Sequence, residues 1–177
     1  MSINYSQPHR YFYEYQHSLR VARLCEIVCK TGWVPCDSGL LVKSAELHDI
    51  GKFRIDSDLL ELPRTLTPSE MNIIKKHPLH SYDWVLTNIG CRDIARIVVQ
   101  HHEASDGSGY PKGITDISIE AIVIRICDIF DALTSDRPYR AAFTREKALE
   151  IMRKELRGDQ ERKIFTKTFP AVFSFID

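Results

Sequence analysis

Apolar positions recur at three- and four-residue intervals along almost the whole chain, and alternating runs of the strand type are scarce, so the pattern predicts an all-α fold. A first helix from about His17 to Lys30 puts Val21, Leu24, Cys25 and Val28 on one stripe, with His17 on the same stripe and Gly32 as the stop. A second helix takes Asp37 or Ser38 as N-cap, turns Leu41, Ala45 and His48 inward, and ends at Gly51. After a short segment at 58–61, Thr67-Pro68-Ser69-Glu70 combines a capping box with proline at the first helical position. The helix it opens is expected to place Ile73, Ile74 and His77 on one face, with a kink or interruption at Pro78.

From Asp93 a further helix aligns Ile94, Ile97 and Val98 with His101 and His102 at its end. Residues 106–113 are too rich in Gly, Pro, Asp and Ser for a helix and predict a loop. Ser118 can cap the next helix, whose apolar residues from Ala121 to Phe130 surround most of its axis. Asp128 inside that helix needs a partner, because an uncompensated buried charge is expensive. Thr144 caps a final long helix through Ala148, Ile151 and Met152, and a tail with Phe165, Phe169 and Phe173 is expected to pack back.

Composition narrows the function. The 177 residues, 44% of them hydrophobic, suit one domain spanning 1–177 with a core of its own. Lys plus Arg and Asp plus Glu are 24 each, which leaves no net positive field to hold long nucleic acid, although a local basic pocket stays open. The five cysteines include no CxxC pair and lie mostly in apolar runs, so they read as reduced thiols, and the expected compartment is cytoplasmic. No stretch approaches the ~20 consecutive apolar residues of a membrane span, and no secretory signal is visible, so no membrane insertion is expected.

Five of the seven histidines, His17, His48, His77, His101 and His102, fall on the inner faces or at the ends of the expected helices, and Asp49 and Asp128 join them. One such histidine is usually a core residue satisfied by a hydrogen bond. Seven imidazole and carboxylate groups together suit divalent metals and exceed what one ion needs. Two ions roughly 3.5 to 4 Å apart are a standard device for phosphoester hydrolysis, and Asp49 can bridge them. Lys52, one helical turn from His48, can reach a phosphate oxygen or a leaving group, although a solvated surface lysine is the commoner case in isolation.

His48-Asp49-Ile50-Gly51-Lys52 resembles the HD-x-x-K motif of HD-domain phosphohydrolases. His101-His102-Glu103 with Asp106-Gly107-Ser108-Gly109-Tyr110-Pro111 resembles the HHE-x-x-DG-x-GYP signature of the HD-GYP family, and the block from Asp128 to Arg140 resembles its third motif. The resemblance covers roughly Tyr13 to Met152 and implies a helical bundle of about six to eight helices. It implies two divalent ions, usually iron or manganese, held by His17, His48, Asp49, His77, His101, His102 and Asp128. His17, His48 and Asp128 would hold one ion, and His77, His101 and His102 the other. Asp49 and Lys52 are the implied catalytic residues, with a hydroxide between the metals attacking phosphorus. Lys52, Tyr110, Asp131, Arg137 and Arg140 are the implied contacts of a cyclic dinucleotide, cyclic di-GMP first, cleaved to pGpG or GMP. Signalling-protein partners or a fused sensor domain are implied too.

The match departs from the family pattern at four places, one of them the tail from Gly158 to Phe165, which lacks an FDP-like ending. Tyr13 stands where three-metal members carry glutamate, and Glu14, one residue on, would point about 100° away on a helix. A two-metal site follows, with Tyr13 over the third position. Ala104-Ser105 replaces a common aromatic, and Ser81 replaces a glycine. The competing readings are a phosphohydrolase of another cyclic dinucleotide or nucleotide, and an inactive module that binds the dinucleotide or docks a protein.

Overall fold

The structure is a computed structural model and describes residues 8–60, 62, 64–136 and 140–172. The chain forms α1 (Pro8–Lys30), α2 (Ser38–Leu47), a 3-10 turn η1 (Ile50–Arg54), α3 (Ser57–Leu60), α4 (Pro68–Ile74), α5 (His77–Asn88), α6 (Arg92–Gln100), α7 (Ile119–Thr134), α8 (Arg145–Glu155) and α9 (Asp159–Val172). Among the described residues, side-chain caps start four of the helices longer than α3. Asp37 accepts the Leu40 N–H, Thr67 and Glu70 close a capping box, and Ser118 and Thr144 accept the N–H groups of Ala121 and Lys147. Each satisfies a donor that the helix itself leaves open, typically at about 1 kcal/mol.

α1, α2 and α7 pack together around Val21, Cys25, Val28, Leu41, Ala45, Ile122, Ile126 and Cys127. α8 and α9 close that core with Met152, Phe165 and Phe169, and the Phe169 ring meets Phe130 edge-on at 5.2 Å. α5 and α6 bury a smaller cluster of Val85, Ile94, Ala95 and Val98. Among the described residues no helix is long and apolar enough to cross a membrane.

Four boundaries differ from the sequence pattern. α1 begins well before His17, at Pro8; that segment has no apolar stripe to signal a helix, and it extends one that is already nucleated, which is the inexpensive step. Gly51 does not terminate α2, which ends at Leu47. It lies within η1, where a Cβ would sit 2.1 Å from the His77 carbonyl oxygen, so glycine is required by close approach to α5. The helix opened by Thr67 stops at Ile74, leaves Ile73 exposed, and His77 begins a separate helix with Pro78 in its first turn. The tail is a helix, α9, whose Phe165, Phe169 and Val172 recur at helical spacing; Phe173 lies outside the described residues.

Candidate metal centre

The ligand candidates come mostly from helix ends. His48 and His101 are the C-caps of α2 and α6, His77 opens α5, and His17 and Asp128 lie within α1 and α7. Three imidazoles are held in the same way. Nδ1 of His48, His77 and His101 lies 2.7, 2.8 and 2.6 Å from the carbonyl three residues back, on Ala45, Ile74 and Val98. A carbonyl only accepts, so Nδ1 carries the proton and Nε2 presents a lone pair to the interior. His17 is held by a side chain instead: its Nδ1 is 2.7 Å from Asp131 Oδ2, and Arg20 grips the same carboxylate at 2.6 and 2.9 Å.

These groups converge as two sets, Asp49 with His77, His101 and His102, and His17 with His48 and Asp128. Asp49 faces both. Its Oδ1 lies 3.1 Å from His77 Nε2 and 3.9 Å from His101 Nε2. Its Oδ2 lies 3.3 Å from His48 Nε2 and 3.5 Å from His17 Nε2. Asp128 Oδ1 is 3.1 Å from His17 Nε2, the partner that its buried helix demanded.

The donor set fits metal ions. His77 and His101 Nε2 approach to 3.2 Å with both Nδ1 atoms on carbonyls, so two lone pairs face each other and call for a cation between them. Among the described residues, His48 Nε2 and Asp49 Oδ1 are buried without a hydrogen-bond partner. Burial, reinforced by neighbouring imidazoles, pushes His101 and His102 well below the usual histidine range, which favours the neutral ligand form. Burial would raise the Asp49 carboxyl, but His48 and Lys52 more than offset it and keep it ionised. Burial would likewise lower His17, yet Asp128 and Asp131 push it up to about 10: this corner attracts positive charge.

Lys52 Nζ sits 2.6 Å from Asp49 Oδ2 and 3.2 Å from Glu14 Oε2. Glu14 is therefore at the rim of the site and not turned away from it, because a flexible side chain spans the offset that helical register imposes. The Tyr13 hydroxyl donates to the Asp136 carbonyl at 2.8 Å. Tyr110 stacks on His102 with ring centroids 4.6 Å apart and has the Lys75 ammonium 5.2 Å from its ring. Asp131 is buried behind His17, where its carboxylate meets the imidazole Nδ1 and orients the ring. The Arg140 guanidinium donates to the carbonyls of Ala132, Leu133 and Ala141 and packs on Phe143, closing the end of α7. Arg137 lies outside the described residues.

Sequence reasoning gave no role to Glu103, which is buried and accepts the backbone N–H groups of Lys112, Gly113 and Ile114, so it shapes the loop that carries Tyr110. Its position beside two ligand histidines was the available signal. Ser105 bonds Glu161 of α9, tying that helix to the same loop.

A family model described as HD domain matches residues 8–160. The cyclic di-GMP phosphodiesterase response regulator RpfG of Xanthomonas campestris pv. campestris is 43% identical over 118 residues, 64% of this chain and 31% of the relative. The 3'3'-cGAMP-specific phosphodiesterase 3 of Vibrio cholerae is 36% identical over 143 residues, 79% of this chain and 31% of the relative. The cyclic di-GMP phosphodiesterase PA4108 of Pseudomonas aeruginosa is 34% identical over 170 residues, 90% of this chain and 39% of the relative. The chain thus spans between 31% and 39% of the length of these relatives. Among solved structures, Bd1817, a HDG"Y"P protein from Bdellovibrio bacteriovorus, superposes with a TM-score of 0.66 at 22% identity, covering 85% of this chain and 50% of that one. The L. monocytogenes phosphodiesterase PgpH HD domain, in complex with cyclic-di-AMP, gives 0.65 at 21% identity and 92% of both chains.

Proposed function

The chain belongs to the HD-domain family, and from that membership we propose that it is a metal-dependent phosphodiesterase that opens a cyclic dinucleotide, cyclic di-GMP first. The observation that carries the reading is Asp49, whose two oxygens face two separate sets of ligand atoms while Lys52 sits against one of them. We assign two divalent ions to these sets, iron or manganese, with Asp49 shared.

Bound there, such ions supply Lewis acidity toward phosphoryl oxygens and a water deprotonated near neutral pH. The residues do the rest. The carbonyl-held imidazoles keep Nε2 aimed inward without reorganisation, and Asp131 does the same for His17. Lys52 is placed to donate to a non-bridging phosphate oxygen as charge accumulates on it, the arrangement that stabilises a transition state more than a ground state. Tyr110 offers its ring face beside His102 for a base or ribose. Arg137 supplies a phosphate or guanine contact, while Asp131 acts through His17 and Arg140 through the carbonyls at the end of α7. Cytoplasmic location, signalling partners and a fused sensor belong to the same proposal.

A second substrate is favoured by a specific finding: relatives named for 3'3'-cGAMP match this chain at similar identity. Initial rates on cyclic di-GMP and 3'3'-cGAMP, with iron- or manganese-loaded protein and metal per chain determined on the same sample, decide between them. Product from cyclic di-GMP with about two metals per chain supports the first reading. Faster turnover of 3'3'-cGAMP transfers the assignment, and filled sites that bind either dinucleotide without product overturn the enzyme reading for a binding module.

A further inference from the structure

Ser81 stands one helical turn after His77 on α5 and is fully buried. Its hydroxyl accepts the N–H of Gly51 at 2.9 Å and donates to the carbonyl of His48 at 2.7 Å. One side chain therefore satisfies two buried backbone groups on either side of Asp49. The two elements are also in direct backbone contact there: a Cβ on Gly51 would meet His77 O at 2.1 Å and Ser81 N at 2.4 Å. His77 belongs to one ligand set and His48 to the other, so the Ser81 bonds fasten the element carrying His48 and Asp49 to the element carrying His77.

We propose that Ser81 is a positioning residue of the metal centre, whose hydroxyl fixes the register between α5 and the turn from His48 to Gly51 and thereby the relation of the two ligand sets. It touches neither reacting atoms nor the ligand nitrogens, and it acts through the backbone of the residues that supply them. Loss of the hydroxyl leaves an N–H and a carbonyl buried without partners, and the turn relaxes to find others. A relaxed turn moves the Asp49 oxygens away from His77 Nε2, now 3.1 Å distant. This rests on the metal-centre reading and is independent of which nucleotide is cleaved.

The test compares Ser81→Ala with Ser81→Thr, which keeps the hydroxyl, and Ser81→Cys, which keeps the volume but offers only a weak donor and acceptor. Manganese affinity is measured by titration against a competing chelator on the full chain, with thermal melts on the same samples. The Ala and Cys variants are expected to bind manganese about 10- to 100-fold more weakly at temperatures where they remain folded, the usual loss when a hydrogen bond that positions a metal ligand is removed, with affinity recovered in the Thr variant. A drop in melting temperature with wild-type affinity in both Ala and Cys overturns the proposal and leaves Ser81 a merely structural residue. Should the Ala variant not fold, the Cys and Thr pair decides in its place. Wild-type protein that binds manganese but cleaves no dinucleotide overturns the substrate reading alone; wild-type protein that binds no divalent ion overturns this one too.

Discussion

The two ligand sets share carbonyl-anchored imidazoles, His48 in one and His77 and His101 in the other, but differ in how a further histidine, His17, is held. In the set with His77 and His101, backbone carbonyls within the preceding turn orient both imidazoles, so their aim is settled by local helix geometry. In the set with His17, a side chain from α7 does that work: Asp131, itself gripped by Arg20, holds a histidine 114 residues away in sequence. Local anchoring cannot be removed by side-chain substitution, whereas long-range anchoring can. The second set is therefore the one that mutation can loosen selectively.

Removing what the two sets share gives the largest effect. Asp49→Ala is expected to empty both and to lower turnover on the order of a thousand-fold or more, because the metals carry several kcal/mol of the transition-state stabilisation. Normal metal content with normal rates would sink the scheme. Lys52→Ala keeps the metals and lowers kcat by about a hundred- to thousand-fold, the usual loss for one donor to developing charge; a rise in KM at unchanged kcat would show that Lys52 only binds substrate. Asp131→Asn tests the contrast itself. It should weaken metal binding by about 10- to 100-fold at the His17 set while the other stays filled, seen as two-step manganese titration in place of one. Equal weakening at both sets would mean that the centre behaves as one unit.

The smallest effect lies away from both sets, at the capping box of α4. Arg64, with the Thr67 N–H and hydroxyl, holds the Glu70 carboxyl at about 2, below its ordinary 4.5. A lowered folded value means that the contribution to stability is complete above about 4.5 and is lost as pH falls through about 2. Glu70→Gln should flatten the change of melting temperature over that window, without altering metal content; an unchanged pH slope would show that the interaction is equally present in the unfolded chain.

The helix caps, the loop at 106–113 and the seven ligand candidates were legible because each is a local pattern: a side chain three residues from an open N–H, a run of turn residues, or a polar group closing an apolar stripe. Glu14 and Asp131 have other roles than local pattern suggests. Helical register says where a Cβ points, but Glu14 uses the length of its side chain to reach Lys52, and the task of Asp131 depends on which histidine α1 brings against α7. Arg140 has the chemistry of a phosphate clamp, yet it closes the α7 carbonyls, since its motif does not reveal which acceptors lie nearest.

The sequence alone determined that the chain is helical and that it carries imidazole and carboxylate groups on inward-facing positions, since both follow from periodicity and residue type. The family resemblance implied the division of those groups into two sets, but only the tertiary structure supplied the distances at which Asp49 faces both and the serine hydroxyl that joins α5 to the turn beside it. Those relations join residues tens of positions apart, and their distances are set by how helices pack, which no local pattern contains.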